Sequence, residues 1–412
     1  MTDREAFHRA ILDHPDDDTP RLIFADLLEE EGESARAAFI RKQVELAGLP
    51  QYDPVWVRAK YPDRGAVTGL PWVESLPALP GGLRWPPEPF RRGFPAAVQA
   101  RGGVAFADHA DERFAIAPVD SLELLGVRTG ERELAESRGL TRLRALSLPE
   151  GVGRGTARWI LNAPLLDHLT HLHVGSRMTT PVAAAVSVGS RAFGRLTAFS
   201  YRDDSRTHAV LTALTRLADP PQLERLDLAS NHITADPLAR LVAAPALAGV
   251  VELDLSDNNL RPDGVRALAA ADLPALRALR LPRTFPDVDG VRALAESSVL
   301  KGLRSLSLAG NLGASRAAVV LAESPLAANL RVLDLRENRF GTTGAAALAN
   351  SAHLRNLIEL NLAANSIEDA GADALAASPH LDGLIALDVS ANLFSRAAAA
   401  RLRRRFGDRV SL

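Results

Sequence analysis

Apolar residues recur along most of this chain in one phrase, leucine-x-x-leucine-x-leucine-x-x-asparagine. One copy reads Leu330, Leu333, Leu335, Asn338 and the next Leu357, Leu360, Leu362, Asn365. The closing asparagines, Asn231, Asn258, Asn311, Asn338, Asn365 and Asn392, fall on a ladder of 26- or 27-residue steps. Weaker marks extend the ladder through Leu276-Leu279-Leu281-Thr284, Leu196-Phe199-Tyr201-Asp204, Leu169-Leu172-Val174-Arg177, Leu143-Leu146-Leu148-Gly151 and Val119-Leu122-Leu124-Val127, giving eleven units. Ten residues past the asparagine position stand Leu161, Leu214, Leu241, Leu268, Leu294, Leu321, Leu348, Leu375 and Leu402; only Ser137 and Ser187 break this second column.

The L-x-L pair predicts a short strand with one buried face, because strand side chains alternate with period two. The stretch after each asparagine, such as GAAALANS or GADALAASP, is rich in good helix formers. Gly264, Gly290, Gly344 and Gly371 all lie six residues past the asparagine position, where a side chain would collide with the adjacent coil. The asparagine amide suits the turn from strand to helix, where it satisfies backbone groups and stacks from unit to unit.

These units resemble leucine-rich repeats of the ribonuclease-inhibitor-like class over residues 119–412. The resemblance implies an α/β fold: a βα solenoid, horseshoe-shaped, with a parallel sheet on its inner wall. It says little about function, which resides in sites rather than folds.

The head of the chain is different in kind. Thr2 and Glu5 form a capping box for a first helix with Phe7, Ala10 and Ile11 on one face, ending at His14-Pro15. Asp16 to Asp18 make a turn, Thr19 and Pro20 suit the N-cap and first position of a second helix, and Gly32 stops it. A third helix is expected from Ser34 to Ala47, burying Phe39, Ile40 and Val44. The string PDDDTPRLIFADLLEEEGESARAAFIRKQ resembles a short repeat-companion domain at the N-terminus of paralogous families in planctomycete bacteria, and Phe90 to Phe94 resembles that family's lead-in to its first strand. The resemblance implies an architecture and brings no catalytic residues.

Three segments are therefore expected: a helical companion domain over 1–48, a connector over 49–92, and the solenoid with its C-terminal cap over 93–412. The connector holds Trp56, Trp72 and Trp85 among nine prolines. Large aromatics are poorly suited to a flexible linker. They are expected to cap the apolar open end of the array, which repeat proteins require, with a groove for a peptide or ligand as the alternative.

Composition narrows the chemistry. A net charge of −2 gives no global attraction to nucleic acid or anionic membrane. The absence of cysteine removes disulfides and thiol chemistry. No apolar leader opens the chain, and Pro181 to Val188, its longest membrane candidate, is too short to span, so a cytoplasmic protein is expected. No phosphate loop, nucleophile elbow or H-E-x-x-H helix appears. Asp16 to Asp18 lack calcium-loop spacing. Within the cluster of His168, His171 and His173, the last two share a strand face that suits a transition metal, but the only acids near it in sequence are Asp167, Asp203 and Asp204; solvated histidines are the expectation. Six arginines in 395–412, most near the end of the last helix, suit the helix dipole better than nucleic acid.

The middle strand positions read Glu123, Ser147, His173, Ser200, Asp227, Asp254, Arg280, Ser307, Asp334, Asn361 and Asp388, five acids against one arginine. Either aspartate is repeat consensus there or the wall is tuned for a basic partner. The expectation is a non-enzymatic, monomeric protein-recognition or scaffold protein without cofactor or metal. It would bind a protein rather than nucleic acid or membrane, and a regulator resembling ribonuclease inhibitor or a small-GTPase activator is the alternative. Its candidate concave surface comprises Glu123, His171, His173, Arg202, Asp227, Glu252, Asp254, Arg280, Asp334, Arg336, Glu359 and Asp388.

Overall fold

The computed structural model describes residues 2–60, 76–79, 81–109, 116–125, 131–150, 159–175, 188, 190, 192–202, 209–217, 219–311 and 315–412. The chain forms two compact units, residues 1–50 with 64–197, and residues 51–63 with 198–412.

The first unit opens with α1 (Asp3–Asp13), α2 (Thr19–Glu30) and α3 (Ser34–Leu46). The capping box forms: Glu5 N donates to Thr2 Oγ1 at 3.2 Å, and Thr2 N donates to Glu5 Oε2 at 2.9 Å. The second helix begins one residue before the expected position, with Thr19 inside it and Asp18 at the N-cap. The side chain that takes up the free amide is Asp17, whose Oδ1 accepts from Thr19 N at 2.8 Å. This is an Asx turn, in which a carboxylate accepts from the amide two residues on. At the other end Gly32, at φ +86°, lets Gly32 N reach Glu29 O and Glu33 N reach Leu28 O, the paired closure of a Schellman motif.

Ile11, Phe24, Ala25, Leu28, Ala37 and Ile40 form the helical core, with Phe7 and Val44 packed at its margin. Phe94 completes it from outside the bundle, its ring 5.6 Å from that of Phe24. After β1 (Leu83–Arg84), Phe94 belongs to a hairpin of β2 (Phe90–Arg91) and β3 (Phe94–Pro95). The turn residues Arg92 and Gly93 have φ of 52° and 84°, the paired positive values of a type I′ turn. Glycine is required at 93 twice over, because a Cβ there would lie 2.7 Å from Ile40 Cα. The acidic turn is spent on this junction: Asp16 pairs with Arg144, and Arg92 donates to Asp18 Oδ1 at 3.3 Å and to Asp16 O at 3.0 Å.

From there β4 (Ala97–Arg101), β5 (Ser121–Leu125), β6 (Ala145–Glu150) and β7 (His171–Val174) pair in parallel in chain order, and β1 covers the β4 edge antiparallel.

Among the described residues the second unit contains α4 (Pro54–Lys60) and nine parallel strands in chain order: β8 (Ala198–Tyr201), β9 (Arg225–Asp227), β10 (Glu252–Asp254), β11 (Ala278–Arg280), β12 (Ser305–Ser307), β13 (Val332–Asp334), β14 (Glu359–Asn361), β15 (Ala386–Asp388) and β16 (Val410–Ser411). Leu226, Leu253, Leu279, Leu306, Leu333, Leu360 and Leu387 stand in register, none more than 1% exposed. The helical leucines from Leu214 to Leu402 are buried likewise. Burying one leucine contributes about 1.5–3 kcal/mol, so each rung adds a similar apolar increment.

Asparagine joins the rungs. Asn365 Nδ2 donates to Leu335 O at 2.9 Å in the rung before and to Ala363 O at 3.1 Å, while its Oδ1 accepts from Asn338 N at 3.2 Å and Phe340 N at 3.3 Å. Asn258, Asn311, Asn338 and Asn392 repeat the pattern. Where the ladder holds Thr284, the hydroxyl donates to Leu281 O at 2.8 Å. The helix glycines serve close approach: a Cβ on Gly371 would come within 2.7 Å of Ile367 Cγ2 and 3.1 Å of Thr342 Cα in the preceding unit.

Candidate protein-recognition surface

Each strand of the second unit between β9 and β15 turns its central leucine inward and its first and third residues to the open face of the sheet. The third residues are the predicted column, and the structure gives the acids in it a backbone task. Asp227 Oδ1 accepts from Ala229 N at 3.0 Å, Asp254 from Ser256 N at 2.9 Å, Asp334 from Arg336 N at 3.3 Å and Asp388 from Ser390 N at 3.0 Å. Asn361 makes the same bond to Ala363 N at 3.0 Å, so the turn needs an oxygen and not a charge. The signal was present in the sequence as an Asp or Asn two residues before the end of the turn, and its turn role was missed.

Arginines of the same face answer much of that acidity. Arg202 places Nε and a terminal nitrogen at 3.1 and 2.7 Å from Asp227 Oδ2. This hydrogen bond, aided by the fields of Asp227, Asp254 and Asp257, holds the Arg202 guanidinium above its usual range against the opposing effect of burial. Arg336 lies 3.8 Å from Asp334, and Arg280 lies 4.0 Å from Asp254.

The first residues are less uniform. Ala278, Glu359 and Ala386 are buried, whereas Arg225 is exposed and Glu252, Ser305 and Val332 are half-buried. Cover comes from residues 51–60. Arg280 donates to Gln51 Oε1 at 2.6 Å on β11, and Lys60 Nζ donates to Glu359 Oε1 at 2.5 Å on β14. Between these anchors Val57 is completely buried, and Tyr52 and Trp56 are half-buried. Burial, followed by the field of Glu252, pushes the Tyr52 phenol up against the opposing pull of Arg277 and Arg304. The segment expected to cap the end of the array is thus bonded to two of the predicted surface positions, Arg280 and Glu359, and its Tyr52 lies in the field of a third, Glu252. Of the other connector tryptophans, Trp85 donates to Pro77 O at 2.9 Å, and Trp72 lies outside the described residues.

Three predicted positions belong to the first unit. Gln99 donates to Glu123 Oε2 at 2.5 Å. His171 and His173 project from β7 and are half-buried, with His171 Nδ1 2.8 Å from Thr170 Oγ1, while His168 is exposed. Among the described residues no group of three or more histidines and acids stands together as a metal site, and Asp203 and Asp204 lie outside the described residues. In the last helix of the second unit, Arg401 pairs with Asp373 at 2.5 Å and Arg405 with Asp382, and just past it Arg409 donates to Leu384 O at 2.8 Å. Half of the basic tail therefore ties the end of the array together. Among the described residues no helix is long and apolar enough to cross a membrane; most of the candidate segment Pro181 to Val188 lies outside them.

Residues 250–269, 327–349 and 353–376 match the family model "Leucine Rich repeat". The fold is a leucine-rich-repeat βα solenoid with an N-terminal helical region. No curated protein matches the chain in sequence. Among solved structures it is similar to one from the yeast Rad7 and Elc1 complex, at 15% identity and a TM-score of 0.52, over 91% of this chain and 92% of that one. A Bacteroides fragilis protein aligns over 76% of this chain and 73% of its own at 14% identity, with a TM-score of 0.36. At such identities the yeast likeness speaks to fold alone.

Proposed function

We propose that the protein is a non-enzymatic recognition scaffold that binds a protein partner through the open face of its second unit. The observation that carries this reading is a contrast between adjacent columns. The inward column repeats leucine at all seven rungs from Leu226 to Leu387, because the core demands it. The neighbouring outward column reads Arg225, Glu252, Ala278, Ser305, Val332, Glu359 and Ala386. A position serving the repeat itself recurs with the repeat; one that changes charge, size and polarity at each rung is free to be shaped by what it meets. The yeast likeness accords with this, since the structure it comes from is a complex of Rad7 with Elc1. Recognition by monomeric scaffolds of this kind needs no cofactor, and nothing on the face favours the enzyme-regulator alternative.

The test uses the full chain as bait in lysate of its source cells, beside an Arg225→Glu/Glu252→Lys variant that leaves the leucines and turns untouched. The expected result is a protein retained in near-stoichiometric amount by the wild type and lost with the variant. Retention no greater than on heat-denatured bait would overturn the scaffold reading; equal retention by both baits would overturn the assignment to this face.

A further inference from the structure

The helix between these two anchors has properties at odds with a permanent structural element. α4 has seven residues, PVWVRAK, and an isolated helix below about 12–15 residues is marginal in water. Its order therefore depends on the wall beneath it. Asp53 starts it, with Oδ1 accepting from Val55 N at 2.8 Å, and Arg58 and Lys60 lie in its last turn, where cations meet the negative end of the helix dipole.

Its fit to the wall is one of length and charge. Gln51 is anchored on β11 and Lys60 on β14, three strand spacings apart. Strands about 4.8 Å apart make that span about 14 Å. Of residues 51–60 the helix itself, six steps at about 1.5 Å, covers about 9 Å, and the turn at residues 51–53 supplies the rest of the way between the two anchors. The ion pair at its end is asymmetric: the Glu359 side chain is 6% exposed and that of Lys60 is 47% exposed. The wall contributes a carboxylate that is sequestered while the helix is in place, and the helix contributes a cation reachable from solvent. The same outward column carries Ala278 at the β11 end of the site, a small residue that is buried.

We propose that the face between β11 and β14 is a docking site for a short amphipathic helix of a protein partner, basic at its C-terminal end, and that α4 occupies this site as a displaceable internal ligand. This rests on the recognition reading and specifies its partner. The partner's helix takes the place of residues 51–60, its apolar face replaces Val57, and its terminal Lys or Arg replaces Lys60 on Glu359. The tethered helix competes at an effective concentration in the millimolar range, as short linkages produce, so it suppresses partners of the wrong charge or weak fit.

The test uses the full chain and a fluorescein-labelled peptide with the sequence of residues 50–60, followed by anisotropy. Val57→Asp/Lys60→Ala loosens the internal helix, and this variant is expected to bind the peptide at least about tenfold more tightly than the wild type does, because the tethered competitor is gone. Adding Glu359→Lys is expected to abolish that binding, and a peptide carrying Lys60→Glu to restore it. Equal affinity for wild type and loosened variant, or indifference to Glu359→Lys, would overturn the proposal. Should the loosened variant fail to fold, hydrogen exchange on the wild-type chain decides: saturating peptide is expected to deprotect the amide of Val57, which donates to Asp53 O at 2.9 Å, and unchanged protection overturns the site. A chain that retains a partner from lysate but fails peptide exchange keeps the scaffold reading and loses this one.

Discussion

Asn365 offers the sharpest test of how the array holds together. Replacing it with alanine removes two bonds donated by Nδ2, to Leu335 O and Ala363 O, and two accepted by Oδ1, from Asn338 N and Phe340 N. The residue is 0% exposed, so water does not replace them without disturbing the turn. A typical hydrogen bond contributes about 1 kcal/mol net, and a buried backbone group left unpaired costs about 1–3 kcal/mol. Two of the four bonds are long, which lowers the sum, and a loss of about 3–5 kcal/mol results. Domain stabilities run to about 5–15 kcal/mol, and repeat arrays transmit stability between neighbours, so the variant is expected to uncouple the last rungs from the rest. Urea unfolding followed by circular dichroism, with hydrogen exchange at Asn338 and Phe340, reads both effects. A loss below about 1 kcal/mol with both amides still protected would refute the account of the ladder as rung-to-rung bonding. Asn365→Asp adds a discriminating arm: it keeps the acceptor but turns a charge toward two carbonyls, so it is expected to destabilise at neutral pH and recover partly in acid, as the protonated carboxyl regains a donor.

Gly93→Ala is expected to cost the first unit about 2–5 kcal/mol, from a left-handed backbone position and overpacking against Ile40; a melting curve like that of the wild type would show that the hairpin moves away freely. Leu335→Asp places a carboxylate at a 0% exposed core position, and a drop of more than about 4 kcal/mol is expected; an unchanged thermal melt would remove the strand register. His8 has its pKa lowered by burial, then by Arg36, against a raising contribution from a backbone bond of Ile116. The folded state therefore binds the proton less tightly than the unfolded chain, so this contribution to stability is complete above the ordinary histidine value of about 6.5 and is lost as pH falls from there through the folded pKa. Chemical denaturation between neutral pH and pH 5 should show that decline and His8→Gln should flatten it; parallel profiles for both chains would assign the acid sensitivity elsewhere.

What recurs was legible in the sequence. The leucines of each strand, the asparagine ladder and the glycines under neighbouring helices all obey one period, and one period describes one set of contacts. The capping box of α1 and the stop at Gly32 were legible because caps are local. The misplaced start of α2 is a matter of one residue: Asp17 takes up the Thr19 amide in an Asx turn, and Thr19 enters the helix where it was expected to cap it. The position of α4 could not be read at all: Lys60 and Glu359 stand 299 residues apart, and no local pattern links a connector lysine to one particular rung. The outward aspartates were read as repeat consensus or as charge for a basic partner, without the turn bond that each makes, since that bond is a matter of geometry within three residues.

The span of α4 also acts as a gauge of copy number. Arrays of this kind lengthen or shorten when whole units of 26 or 27 residues are duplicated or deleted, and most rungs tolerate the change because every interface resembles the next. Between β11 and β14 that freedom is lost. One unit more or fewer there shifts Glu359 by about 4.8 Å relative to Arg280, and a helix anchored at Gln51 no longer brings Lys60 to it. The two anchors therefore restrict where this chain can gain or lose a unit, and leave the rungs outside that interval as the place where its length can drift.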